Sequence, residues 1–139
     1  MFLENCLKLL LSVFLGGLIG IERELAHKPA GLRTHMLVCL ASCFFMMISV
    51  DFTQGADPSR IAAGVVTGIG FIGAGTIIAG GKETKRLVIG VTTASSLWVT
   101  AAVGLAVGYG QYAEAIFATV LASAILWLRK VLPIEKLSG

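Results

Sequence analysis

Ile61-Ala62-Ala63-Gly64-Val65-Val66-Thr67-Gly68-Ile69-Gly70-Phe71-Ile72-Gly73-Ala74-Gly75-Thr76-Ile77-Ile78-Ala79-Gly80-Gly81 carries no charged side chain and holds seven of the chain's 17 glycines. A charge-free run of this length reads as a membrane-spanning helix, because about 20 apolar residues cross roughly 30 Å of hydrocarbon. In water each glycine would weaken a helix by about 1 kcal/mol. In lipid the backbone has no water to bond, so the helix persists. Its bare faces then let neighbouring helices approach closely. Gly64, Gly68 and Gly75 fall on one stripe, and Gly70, Gly73 and Gly80 or Gly81 on another. The expectation is an all-α, polytopic membrane bundle with this thin third helix at its centre, gripped on two sides. A helix broken at 73–75, of the kind transporters use at ion sites, is the alternative.

Composition agrees with lipid as the solvent. The 139 residues are 56% hydrophobic and 14% charged, with a mean hydropathy of +0.88. A soluble domain carries about 25% charged residues. Charges and turn signals divide one transmembrane domain, 1–139, into five spans: 5–21, 34–50, 61–81, 87–107 and 112–128. The first apolar run lacks a basic leader and a small-residue cleavage site, so it is expected to remain as a span. Five spans put Arg23, Lys28, Arg33, Lys82, Lys85, Arg86, Arg129, Lys130 and Lys136 on one side, with only Lys8 and Arg60 on the other. The positive-inside rule then predicts an outer N-terminus and a cytoplasmic C-terminus. The net charge of +3 is too weak to argue for nucleic acid, and none is expected. Cys6, Cys39 and Cys43 are expected as free thiols, since they are odd in number and lie in or beside apolar segments.

Several residues are candidates for more than packing. Asp57 is placed to accept amide hydrogen bonds at the start of the third span, with Pro58 at its first helical position. Asp51 and Arg60 lie on the same outer side. On the inner side Glu22 either tucks inward, pairing with Arg23 or Arg33, or belongs to a solvated headgroup-level loop in which Arg33 binds lipid phosphate. Thr93, Ser96, Thr100, Gly104 and Gly108 form a stripe on the fourth span, flanked by Thr92 and Ser95, that is expected to pack on the third. Its hydroxyls can bond back to carbonyls one turn earlier. Otherwise, with Thr67 and Thr76, they line a path for an ion or water. Met36, Cys39, Cys43 and Met46 or Met47 share a soft face of the second span that packing explains without a metal. The glycine spacing at 68–73 matches a dinucleotide fingerprint, but no soluble strand precedes it and no acidic residue lies about 20 positions on. With no catalytic constellation, neither an enzyme nor a bound cofactor or metal is expected.

Residues 17–24 (GLIGIERE) and 28–35 (KPAGLRTH) resemble the opening of the MgtC/SapB membrane proteins. So do 57–63 (DPSRIAA) and 68–76 (GIGFIGAGT), and 90–104 (GVTTASSLWVTAAVG) is similar to the family's second signature. The resemblance covers the transmembrane region only; many members continue into a soluble regulatory domain. The family pattern tends to have glutamine where this chain has Gly64. The resemblance implies a bacterial inner-membrane protein of about five spans, associated with growth at low magnesium, acid tolerance and survival inside host cells. The function expected is regulation of ion and acid-stress homeostasis through contacts with other membrane proteins; the alternative is a cation transporter or channel with a polar path between spans three and four. Membrane lipid, a second copy of the chain in a dimer, and another inner-membrane protein are the expected partners.

Overall fold

The computed structural model describes residues 2–51, 57–80 and 87–131. The basic loop at 82–86, Gly81, and Lys136 of the tail lie outside the described residues. Five helices follow in order: α1 (Phe2–Leu25), α2 (Leu32–Asp51), α3 (Ser59–Ala74), α4 (Val91–Tyr109) and α5 (Tyr112–Val131). Two three-residue strands, β1 (Ile78–Gly80) and β2 (Leu87–Ile89), pair antiparallel between α3 and α4. The all-α bundle is as expected. Three of its helices, α1, α2 and α4, are long and apolar enough to cross a membrane.

Apolar surface faces outward in the way lipid allows. Leu3, Leu7, Leu10, Phe14, Leu18 and Leu25 are exposed along α1 at helical spacing, while Leu15, Gly16, Ile19 and Gly20 are buried. On α5 the exposed set is Phe117, Val120, Leu121, Ile125 and Leu128. In water such a surface would be a large aggregation liability; against acyl chains it is the ordinary one.

The third span differs from its sequence reading. The α3 helix stops at Ala74 instead of continuing to 81, and the chain leaves it through a turn. Gly75 N–H donates to Phe71 O, Thr76 N–H to Gly73 O and Ile77 N–H to Ala74 O. The Thr76 hydroxyl adds a second bond to Gly73 O at 2.7 Å. These bonds satisfy the carbonyls of Phe71, Gly73 and Ala74 as the helix ends. The break thus falls in the 73–75 segment that formed the alternative reading.

Nor is α3 the gripped helix. A Cβ added at Gly64, Gly68 or Gly70 would meet nothing within 4 Å. At Gly73 it would only touch Ala94, at 3.4 Å, and at Gly75 it would meet the chain's own Ile72 carbonyl, at 3.3 Å. The helix held between close neighbours is α2. On one side a Cβ at Gly16 would lie 2.7 Å from Cys39 Cβ, and one at Gly20 would lie 2.9 Å from both His35 Cβ and Leu32 Cα. On the other, Gly104 sits against the Cys39 carbonyl and Gly108 against the Cys43 carbonyl, and a Cβ at either would come within 2.8 Å of Ser42 or Met46 Cβ. Two pairs spaced four residues apart, on α1 and on α4, let both backbones close on α2. The main core lies between these helices and α5: Leu15, Ile19, Cys39, Cys43, Met47, Val103, Val107, Ala115 and Leu126.

The connections show why the helices turn where they do. His27 closes α1 in a left-handed conformation (φ 50°), with Lys28 N–H bonded to Arg23 O and His27 N–H to Glu24 O. Gly110 (φ 101°) does the same after α4, where Gln111 N–H reaches Ala106 O and Gly110 N–H reaches Val107 O. Both are the two-bond helix ending usually built on glycine. The 109–112 turn falls where the sequence placed it. Because a non-glycine residue in this conformation costs roughly 1–2 kcal/mol, His27→Gly is expected to leave thermal stability in detergent unchanged or raised by up to about 1 kcal/mol. A fall in stability would show that the His27 side chain itself holds the loop.

Candidate functional site

At the end of the bundle that carries the α1–α2 loop, charge is buried among apolar helices. Glu22 and Arg23, in the last turn of α1, are each only 2% exposed. Nε and Nη2 of Arg23 both donate to Glu22 Oε2. Glu22 therefore tucks inward and pairs with its neighbour Arg23; Arg33 is exposed on α2 and takes no part. The next carboxylate, Glu24, points out of the core, where its Oε2 accepts the Leu32 N–H at 2.9 Å. An anion there suits the free amides and positive dipole end of α2.

His35, fully buried one turn into α2, links this region to α4. Its Nδ1 lies 2.8 Å from Gly31 O, and its Nε2 lies 3.0 Å from Ser96 Oγ. Gly31 O only accepts, so Nδ1 carries a proton. In a neutral ring Nε2 is then an acceptor. The single Ser96 proton has two acceptors in reach, Nε2 and Thr93 O at 2.7 Å. In a charged ring Nε2–H donates to Ser96 Oγ and the serine proton goes to Thr93 O. Turning one hydroxyl thus lets Ser96 partner His35 in either protonation state, with no proton passing between α2 and α4.

The other candidates are scattered. Thr100 is buried and donates to Ser96 O at 2.8 Å. Thr67 is exposed on α3 and donates to Ala63 O, and Thr76 bonds within its own turn. Thr92 and Ser95 are exposed, the latter donating to Val91 O. The structure does not bring Thr67 and Thr76 together with Thr93, Ser96 and Thr100. The α4 stripe also faces a different partner from the one expected. Ser96, Gly104 and Gly108 contact α2, not α3, because the α4 glycines admit the α2 backbone. Asp51 is exposed at the far end of α2.

Asp57 performs the helix-start role read from the sequence. Its Oδ1 accepts the Ser59 N–H at 2.9 Å and its Oδ2 accepts the Ser59 hydroxyl at 2.7 Å. The Ser59 hydroxyl, then the Ser59 amide, and the Arg60 charge hold the Asp57 carboxyl below its ordinary value of 3.8. The cap is therefore fully present above that value and is lost only as pH falls through the lower one.

Sequence reasoning missed Gly16, Gly20 and the His35–Ser96 link. The four-residue spacing of small residues on α1 was the available signal for the glycines. Nothing in the sequence announced the histidine contact, which joins residues 61 positions apart.

These features define a polytopic helical membrane protein that buries an ion pair and a histidine–serine link at one end. Residues 9–134 match the MgtC family model, and the chain belongs to that family. It is 43% identical over 131 residues to a protein of Escherichia coli K12 named putative magnesium transporter YhiD, covering 88% of this chain and 59% of that one. It is also 43% identical over 114 residues to protein MgtC of Brucella abortus, covering 82% and 46%. An uncharacterized Synechocystis protein is 38% identical over 118 residues, covering 85% and 49%. The chain thus spans about half the length of the curated relatives it matches. No solved structure matches it.

Proposed function

We propose that this protein regulates magnesium and acid-stress homeostasis in the bacterial inner membrane through contacts with other membrane proteins, without catalysing a reaction. The observation that carries the reading is how the interior polar groups are used. Among the described residues every buried side-chain nitrogen or oxygen has a partner. The hydroxyls of Thr93's neighbours Ser96 and Thr100 close on carbonyls of their own helix, and Glu22 closes on Arg23. Polar groups satisfied within their own helix offer no free donor or acceptor to a passing ion, which leaves the outer surface to do the work. The magnesium link rests on the name of the Escherichia coli relative. The expected orientation, N-terminus outside and C-terminus cytoplasmic, rests on the positive-inside rule.

One observation favours a second reading, a cation transporter: the His35–Ser96 link lies deep in the bundle beside the buried pair, where ionisable groups in membranes often serve transport. Purified protein in liposomes loaded with a magnesium-sensitive dye separates the two. Under the regulatory reading, influx equals that of empty vesicles, and crosslinking in intact membranes joins the chain to a second membrane protein. Influx by the parent protein that Thr93→Val abolishes, with the variant's melting temperature unchanged, would establish transport and overturn it.

A further inference from the structure

Between α2 and α3 the bundle opens into a groove of about 770 Å³. Leu37 and Phe45 form one wall, and Gly64, Gly68 and Ile72 the other. Arg60 stands at one end, and apart from Arg60 and Ser42 the lining is apolar. From Arg60 to Ile72 is 12 residues, or roughly 18 Å of helix at about 1.5 Å per residue. That is close to the depth of one leaflet, half of roughly 30 Å. The groove therefore runs inward from the boundary at Arg60 over about the length of one acyl chain.

We propose that this groove binds one anionic phospholipid, with an acyl chain lying between α2 and α3 and the headgroup phosphate on Arg60. Charge selects the headgroup. Among the described residues no carboxylate lies within 4 Å of the Arg60 side chain, while Asp57, three residues earlier, uses both oxygens on Ser59. The intervening residues 52–56 contain no acidic side chain. A guanidinium whose nearby acid, Asp57, is hydrogen-bonded to Ser59 and not to it, at the end of an apolar channel, matches a phosphate joined to a hydrocarbon chain. A narrow apolar channel of this length, headed by a single cation, suits one acyl chain below one headgroup. The bare wall at Gly64 and Gly68 supplies the room: the space beside them is empty of protein.

The test uses native mass spectrometry of the whole protein in mild detergent, titrated with phosphatidylglycerol or phosphatidylcholine. The protein is expected to retain one phosphatidylglycerol, preferred over phosphatidylcholine by about fivefold, the factor one cation near a membrane surface provides. Arg60→Gln should erase the preference and leave weak, equal binding of both lipids. Gly68→Leu should remove both lipids, with an unchanged melting temperature, because its side chain enters open space. Gly64→Leu is the second such variant. A preference that survives Arg60→Gln, or a lipid still held by both leucine variants, would overturn the proposal. So would a dimer that dissociates on Gly68→Leu, since a second copy would then be the occupant.

Discussion

Gly104→Leu is expected to abolish folding of the bundle, while Gly64→Leu leaves its melting temperature in place. The contrast follows from what stands opposite each Cα. At Gly104 even a methyl group would collide with the Cys39 carbonyl and come within 2.8 Å of Ser42 Cβ. Cys39 is backbone of α2, and it cannot turn aside as a long side chain can. The helices must separate, which also pulls Val103 and Val107 away from Cys39 and Cys43 in the main core. Overpacking a core by extra methylenes typically costs about 1–3 kcal/mol. Four heavy atoms driven into a backbone contact exceed that range, against a total stability on the order of 5–15 kcal/mol. Gly108→Leu should fail in the same way against the Cys43 carbonyl. Size-exclusion profiles and thermal melts of the purified variants read the outcome. A folded Gly104→Leu protein, or a collapsed Gly64→Leu one, would mean that α4 does not press on α2 and that α3 is gripped after all.

This contrast also marks where sequence reading reached its limit. Hydropathy and charge placed all five helices, because lipid imposes a simple rule on each residue separately. The Asp57–Pro58 helix start and the turn at Gly110 were legible because capping and left-handed turns are local chemistry. Assignment of the grip was not legible. A glycine stripe says that a face is thin, not which neighbour closes on it, and α1, α3 and α4 all carry one. The end of α3 was hidden for a related reason. Ile77, Ile78, Leu87, Val88 and Ile89 are apolar and β-branched or bulky, so the same short runs fit a buried strand or a span. The turn at Gly75 and Thr76 decides between them through its own hydrogen bonds. In the candidate site, the inward Glu22 could be anticipated because an acid beside an apolar span has two basic neighbours in sequence. Its choice of Arg23 over Arg33 depends on which turn of α1 and α2 faces the core, and that is set by Gly16 and Gly20.

Glu22→Gln is expected to destabilise the protein strongly, and its rescue separates a structural pair from a working one. Arginine keeps its proton under all accessible conditions. Removing the Glu22 charge therefore leaves a guanidinium buried at 2% exposure with no countercharge among the described residues around it. Breaking a buried pair from one side costs about 3–5 kcal/mol, whereas replacing both members by apolar groups of similar volume is often neutral or stabilising by about 1–4 kcal/mol. The double variant Glu22→Leu/Arg23→Met should therefore melt near the parent protein, far above Glu22→Gln. If the pair only fastens the end of α1, that double variant also keeps whatever partner crosslinks the parent forms, as the proposed regulatory role requires. If the pair moves a cation or a proton past His35, the double variant is stable and inactive, which would favour the transport reading. A double variant as unstable as the single one would refute the pair's isolation, because the charges would then be held by groups beyond each other. The sequence already contains the logic of this test. Residues 22 and 23 carry opposite charges side by side at the end of an apolar helix, and only burial turns that adjacency into a constraint.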